Sequence, residues 1–122
     1  MHEATTPFLM RAIIIAVTLF IIGQSLVWFQ TNSQFIWEFA KRNPMIMSLL
    51  GFPISYIFIK ATAFAHTYFG ELWPIRMLAF SSGILMFTLW TWYLAGEAVN
   101  WKTFTCIGLA FIIIFIQLLP KG

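Results

Sequence analysis

An all-α bundle of four membrane-spanning helices is the architecture to expect from these 122 residues, and three features of the sequence lead to it. Apolar residues make up 61% of the chain, and the charged residues are 7 basic and 4 acidic, where a soluble domain carries roughly a quarter of its residues charged. The charges leave four long gaps between them, each able to supply the roughly 20 apolar residues that one bilayer crossing needs. Aromatic clusters stand at the edges of those gaps, as they do where a helix meets lipid headgroups. The length suits one such transmembrane domain over 1–122 and excludes a complete large transporter.

Helix one is expected over 12–29. It follows Arg11, opens with Ile13-Ile14-Ile15 and ends in Trp28-Phe29. Its apolar run exceeds the roughly 7 to 15 residues of a secretory signal core, and no small-x-small cleavage site follows, which favours a retained helix. The polar cluster Gln30 to Gln34 comes next, and Thr31 with Gln34 has the form of a helix-starting capping box. A short interfacial helix is therefore expected over 33–42. Phe35, Ile36, Trp37 and Phe39 mixed with Glu38, Lys41 and Arg42 suit a membrane surface. It stops ahead of Pro44, because proline disfavours helical geometry in the residue before it.

Helix two is expected over 44–64, with Pro44 in its first turn. Gly51, Pro53 and Ser55 predict a kink. Pro53 removes the backbone bond to Leu49, and in hydrocarbon the freed groups need partners, for which Ser48 and Ser55 are the local candidates. A ring-rich turn is expected from His66 to Pro74. Helix three, over 75–94, ends in Trp90-Thr91-Trp92-Tyr93, and helix four, over 101–119, closes at Pro120-Lys121-Gly122. Four crossings place both termini on one side. Arg11, Lys60, Arg76 and Lys121 fall to that side and Lys41, Arg42 and Lys102 to the other, a narrow majority for cytoplasmic termini in an inner membrane.

The catalytic searches are negative. The chain has no Gly-rich phosphate loop, no Gly-x-Ser-x-Gly elbow and no paired carboxylates, so no enzyme is expected. His66 lacks neighbouring ligands and Cys106 is the lone cysteine, so neither a metal nor another cofactor is expected. A net charge of +3 spread over several loops gives no support for nucleic-acid binding.

Four residues stand out as binding candidates. Lys60 is the charge deepest in an apolar run. It either serves a function or lets its ammonium snorkel to the headgroups. Arg76, with Lys60, His66 and Glu71, could form a basic pocket for an anionic head group or substrate, or could simply be an interfacial Arg paired with Glu71 or lipid phosphate. Gln24 is the strongly polar side chain of helix one and can hydrogen-bond across helices, such bonds being worth about 0.6 to 2 kcal/mol. It cannot titrate, which argues against carboxylate-type proton antiport. Tyr56 is a further polar candidate for a cavity. Small residues four apart, Ala12 and Ala16, Gly51 and Ser55, Ala79 and Gly83, Cys106 and Ala110, read as packing positions.

The stretch Leu94-Ala95-Gly96-Glu97-Ala98-Val99-Asn100-Trp101-Lys102, followed by Ile107-Gly108-Leu109-Ala110-Phe111-Ile112-Ile113, resembles the end of a drug/metabolite transporter repeat, over about 75–119. The small multidrug resistance members of that superfamily are of similar length, with four helices. The resemblance implies their architecture and an antiparallel dimer. Gln24 stands as the comparable polar group where those members carry a helix-one Glu, and Phe115 where their last helix has a second glycine. Glu97 is read as a structural turn residue, pairing with Lys102 or capping helix four. The expected role is carriage of a small amphipathic or anionic molecule by a homo-oligomer in the bilayer. The rival is a non-catalytic accessory subunit of a larger membrane complex.

Overall fold

The computed structural model describes residues 2–119, with side chains from Thr6 onward. The described residues form helices and turns, without a strand. They are α1 (His2–Asn32), a 3-10 turn (Ser33–Phe35), α2 (Glu38–Arg42), α3 (Pro44–Ser48), α4 (Gly51–Phe69), α5 (Trp73–Leu94) and α6 (Trp101–Leu118). Four stretches among them are long and apolar enough to cross a membrane: Thr6–Phe35, Pro44–Phe69, Trp73–Leu94 and Trp101–Leu118. The expected closure at Pro120-Lys121-Gly122 lies outside the described residues.

The later helices match their expected bounds within two residues, and the earlier ones do not. α1 starts ahead of Pro7 and runs on to Asn32. The capping box does not form, because Thr31 Oγ1 donates to Val27 O at 2.8 Å as an interior helical hydroxyl does, and Gln34 Nε2 donates to Thr31 O at 2.8 Å. The interfacial helix consequently begins at Glu38 rather than 33. The carbonyl of Ser33 first takes the N–H groups of Ile36 and Trp37, at 3.0 and 2.7 Å, to turn the chain. An exposed Glu38–Arg42 ion pair of 3.2 Å spans α2.

The predicted kink is a break between α3 and α4, placed just before Gly51. There the Leu50 N–H reaches back to Met47 O (3.1 Å) and the Phe52 N–H to Leu49 O (3.3 Å), so the carbonyl that Pro53 would have left bare is filled by a tighter turn. Neither serine performs the repair foreseen for it. Ser48 Oγ donates to Met45 O within α3 and Ser55 is exposed, whereas Gln30 Nε2 crosses from α1 to Met47 O (3.2 Å) and Ser48 O (3.4 Å). α4 then continues to Phe69, so His66 lies in its last turn rather than in a loop. Gly70, at φ 76°, ends it with its N–H on His66 O at 2.8 Å.

α1 is the centre of the bundle, packed against α4 and α5, with α6 lying on α5. Ala16, Ala61 and Ala65 are wholly buried, which lets α1 and α4 approach closely. With Ile13, Phe20, Ile75 and Leu78 they form an apolar core toward the end where α1 begins. Gly23 continues this contact, since a Cβ there would meet the Phe58 ring at 3.1 Å and Ile57 at 3.3 Å. In the other half of the bundle α1 and α5 are joined by hydrogen bonds, Trp90 Nε1 to Ser25 Oγ (2.8 Å) and Trp28 Nε1 to Thr91 Oγ1 (2.9 Å). α6 contributes Ala110 as its fully buried residue.

Candidate functional site

Gln24 stands where the apolar core gives way to this hydrogen-bonded seam. Its Nε2 donates to Ala79 O at 3.0 Å, a carbonyl that also accepts Ser82 Oγ at 2.9 Å. The amide fits between α1 and α5 because residue 83 is glycine: a Cβ there would lie 3.1 Å from Gln24 Oε1 and 3.2 Å from its Cδ and Nε2. The Gln24 amide is thereby inserted between α1 and α5 where the apolar core meets the hydrogen-bonded seam.

Two cavities meet at this point. The first, of about 410 Å³, is lined by Phe20, Gln24, Phe58, Thr62, Leu72, Ile75, Arg76 and Ala79, and it reaches toward the α4–α5 turn. The second, of about 580 Å³, is lined by Gln24, Ala79, Phe80, Gly83, Ile84, Phe87, Thr88, Lys102, Thr103 and Cys106, and it reaches toward the start of α6. Gln24 and Ala79 belong to both. Because α5 begins at the first turn and ends beside α6, the two cavities point to opposite ends of the bundle. Each carries one cation, Arg76 or Lys102, and is otherwise mostly apolar. Both are open clefts on the bundle surface rather than enclosed chambers, the second the more open of the two.

Local sequence explains how each cation is placed. Trp73-Pro74 starts α5, proline being tolerated in a first turn, so Arg76 follows within that turn. It is exposed and forms no ion pair with another described residue, and Glu71 is not its partner. Asn100 caps α6 by accepting the Thr103 N–H on its side chain at 2.9 Å, which sets Lys102 and Cys106 one turn apart along the second cavity. Lys102 lies 5.9 Å from the Trp101 ring centroid and makes no ion pair with Glu97.

Of the four binding candidates, the structure brings together Gln24 and Arg76. Lys60 and Tyr56 line neither cavity. They are exposed on the outer face of α4, with Lys60 Nζ 5.9 Å from the Tyr56 ring centroid. Glu97 does stand in a turn, but through its backbone: its N–H bonds Thr91 O at 3.3 Å just after Gly96 takes φ 73°, while the capping foreseen for it is done by Asn100. Among the described residues no group of His, Cys, Asp or Glu could hold a metal ion. Sequence reasoning missed Lys102, Thr88 and Thr103. The spacing of Lys102 and Cys106, four apart and hence on one helical face, was the signal available. No protein-family model, curated protein or solved structure matches the chain.

Proposed function

We propose that the chain is an integral membrane protein, of drug/metabolite transporter-like architecture, that carries a small amphipathic molecule with an anionic head group. The observation that supports this reading is the pair of cavities directed to opposite ends of the bundle, each with one cation, meeting at Gln24 and Ala79. An anionic head group gains a charge-assisted contact at Arg76, while its apolar part lies along Phe20, Phe58 and Ile75. Lys102 with Thr88 and Thr103 offers the equivalent contact at the other end. Between them Gln24 is the connecting polar group. Releasing Ala79 O costs little, because Ser82 remains on that carbonyl, and the freed amide can donate to the passing head group. Gln24 does not titrate, so no proton is exchanged there.

The test uses the full chain in nanodiscs of neutral lipid, with a fatty acid bearing a diazirine on its chain. Photolabelling is expected on the segments holding Phe20, Phe58 and Ile75, and Arg76→Gln is expected to lower it by about tenfold, equivalent to about 1.4 kcal/mol. A diazirine alkylamine should label neither cavity. Equal labelling by the amine, or labelling indifferent to Arg76→Gln, overturns the reading.

A further inference from the structure

Lys60 is the tenth of the nineteen residues of α4. Phe58, two residues earlier, packs against Phe20 and Gly23 of α1, which are themselves in the middle of the long Thr6–Phe35 stretch. In a bilayer the Lys60 backbone therefore lies near mid-depth, about 13 Å from the end of α4 at Phe69 at 1.5 Å per residue. α4 continues five residues past Phe64, the end expected for it. The Lys60 side chain also points the wrong way for snorkelling to that nearer end. Helical side chains tilt toward the helix N-terminus, and Nζ accordingly stands beside Tyr56, one turn farther from Phe69. A lysine at the centre of a spanning helix costs about 2.5 to 3.5 kcal/mol on insertion scales. Here it is exposed on the outer face of α4, alongside Phe52, Tyr56 and Ile59.

We infer that this face of α4 is an interface for a transmembrane helix of a different protein, one that presents a carboxylate at mid-membrane depth to Lys60. A second copy of the chain cannot supply that group. Its acidic residues are Glu3, Glu38, Glu71 and Glu97, which stand at the start of α1, in α2, and in the turns before and after α5. In neither orientation does a copy bring one of them to the depth of Lys60. Tyr56 adds an aromatic ring next to the ammonium, and Ala63, one turn beyond Ile59, leaves room for a helix to approach. The inference shares with the proposed function the membrane placement and uses the opposite side of α4 from the Phe58 and Thr62 cavity wall.

The test is association of the full chain, in nanodiscs, with a leucine-rich transmembrane peptide of about 20 residues carrying one central Glu, read by energy transfer between dyes. The Glu peptide is expected to bind about tenfold more tightly than its all-leucine parent. Lys60→Met should remove that advantage, Lys60→Arg should keep it, and moving the Glu two turns toward either peptide end should abolish it. Lys60 is exposed, so the Met variant should extract as the same species, and Lys60→Arg reports separately if it does not. Equal binding of both peptides, an advantage that survives Lys60→Met, or a homodimer of the chain that dissolves on Lys60→Met each overturns the inference.

Discussion

Gln24 serves two purposes with one amide: it fastens α1 to α5 and it is the polar wall shared by both cavities. Its structural share is small, since Ala79 O keeps a second donor in Ser82. Gln24→Leu is expected to lower stability by about 1 kcal/mol, in the range of interhelical bonds in membranes, measured by thermal unfolding in mild detergent, while abolishing transfer of label between the two cavities. A loss several times larger would make Gln24 a structural residue first. Gln24 and Arg76 were legible in the sequence because a polar group inside or bordering an apolar run is conspicuous wherever it points. Lys102 was not, because Glu97 five residues earlier offered it a simpler partner. The turn at Gly96 and the Asn100 cap place Lys102 on the cavity wall instead, beside Trp101 rather than Glu97.

Among the elements, α1–α4 and α1–α5 are held by different means. Alanines and Gly23 permit close backbone approach in the first pair, and side-chain hydrogen bonds from Trp28 and Trp90 bridge the second. A double-mutant cycle on Trp28→Phe and Thr91→Val should give a coupling of about 0.6 to 1.7 kcal/mol, and a value near zero would show that the bond carries no stability. α6 is attached chiefly through α5 and buries Ala110 fully. Ala110→Leu is expected to overpack that contact at a cost of about 1 to 3 kcal/mol. Hydrogen exchange should then accelerate in α6 while α1 and α4 stay protected. The bounds of α5 and α6 were readable because prolines, an asparagine cap and glycine turns act locally. The run from Thr31 to Phe35 misled because a hydroxyl bonding back to Val27 and one capping a new helix have the same sequence signature.

For the molecule as a whole, the depth inferred for Lys60 alters the charge arithmetic. On that inference the basic residues flanking the spans are Arg11, Arg76 and Lys121 against Lys41, Arg42 and Lys102, and an even count imposes little orientation. The path of the chain is nonetheless testable. In a Cys106→Ser background, Glu38→Cys and Ala98→Cys should react with an impermeant maleimide from one side of the membrane and Glu71→Cys from the other. Reaction of Glu71→Cys and Ala98→Cys from the same face of a uniformly inserted sample would show that α5 does not cross.

Length, apolar content and the placement of proline and glycine determined, from the sequence alone, that four helices would be long enough to span a bilayer and roughly where two of them, α5 and α6, would end. Those are properties of a chain segment and its immediate neighbours. Which way each helix faces was decided by the tertiary structure. The few polar residues of α5 are scattered around the helix, so its sequence carries no clear stripe to fix its rotation. Packing sets Gly83 against Gln24 and leaves Arg76 on the wall of the same cleft, and packing of Ala61 and Ala65 in the core leaves Lys60 on the outer face.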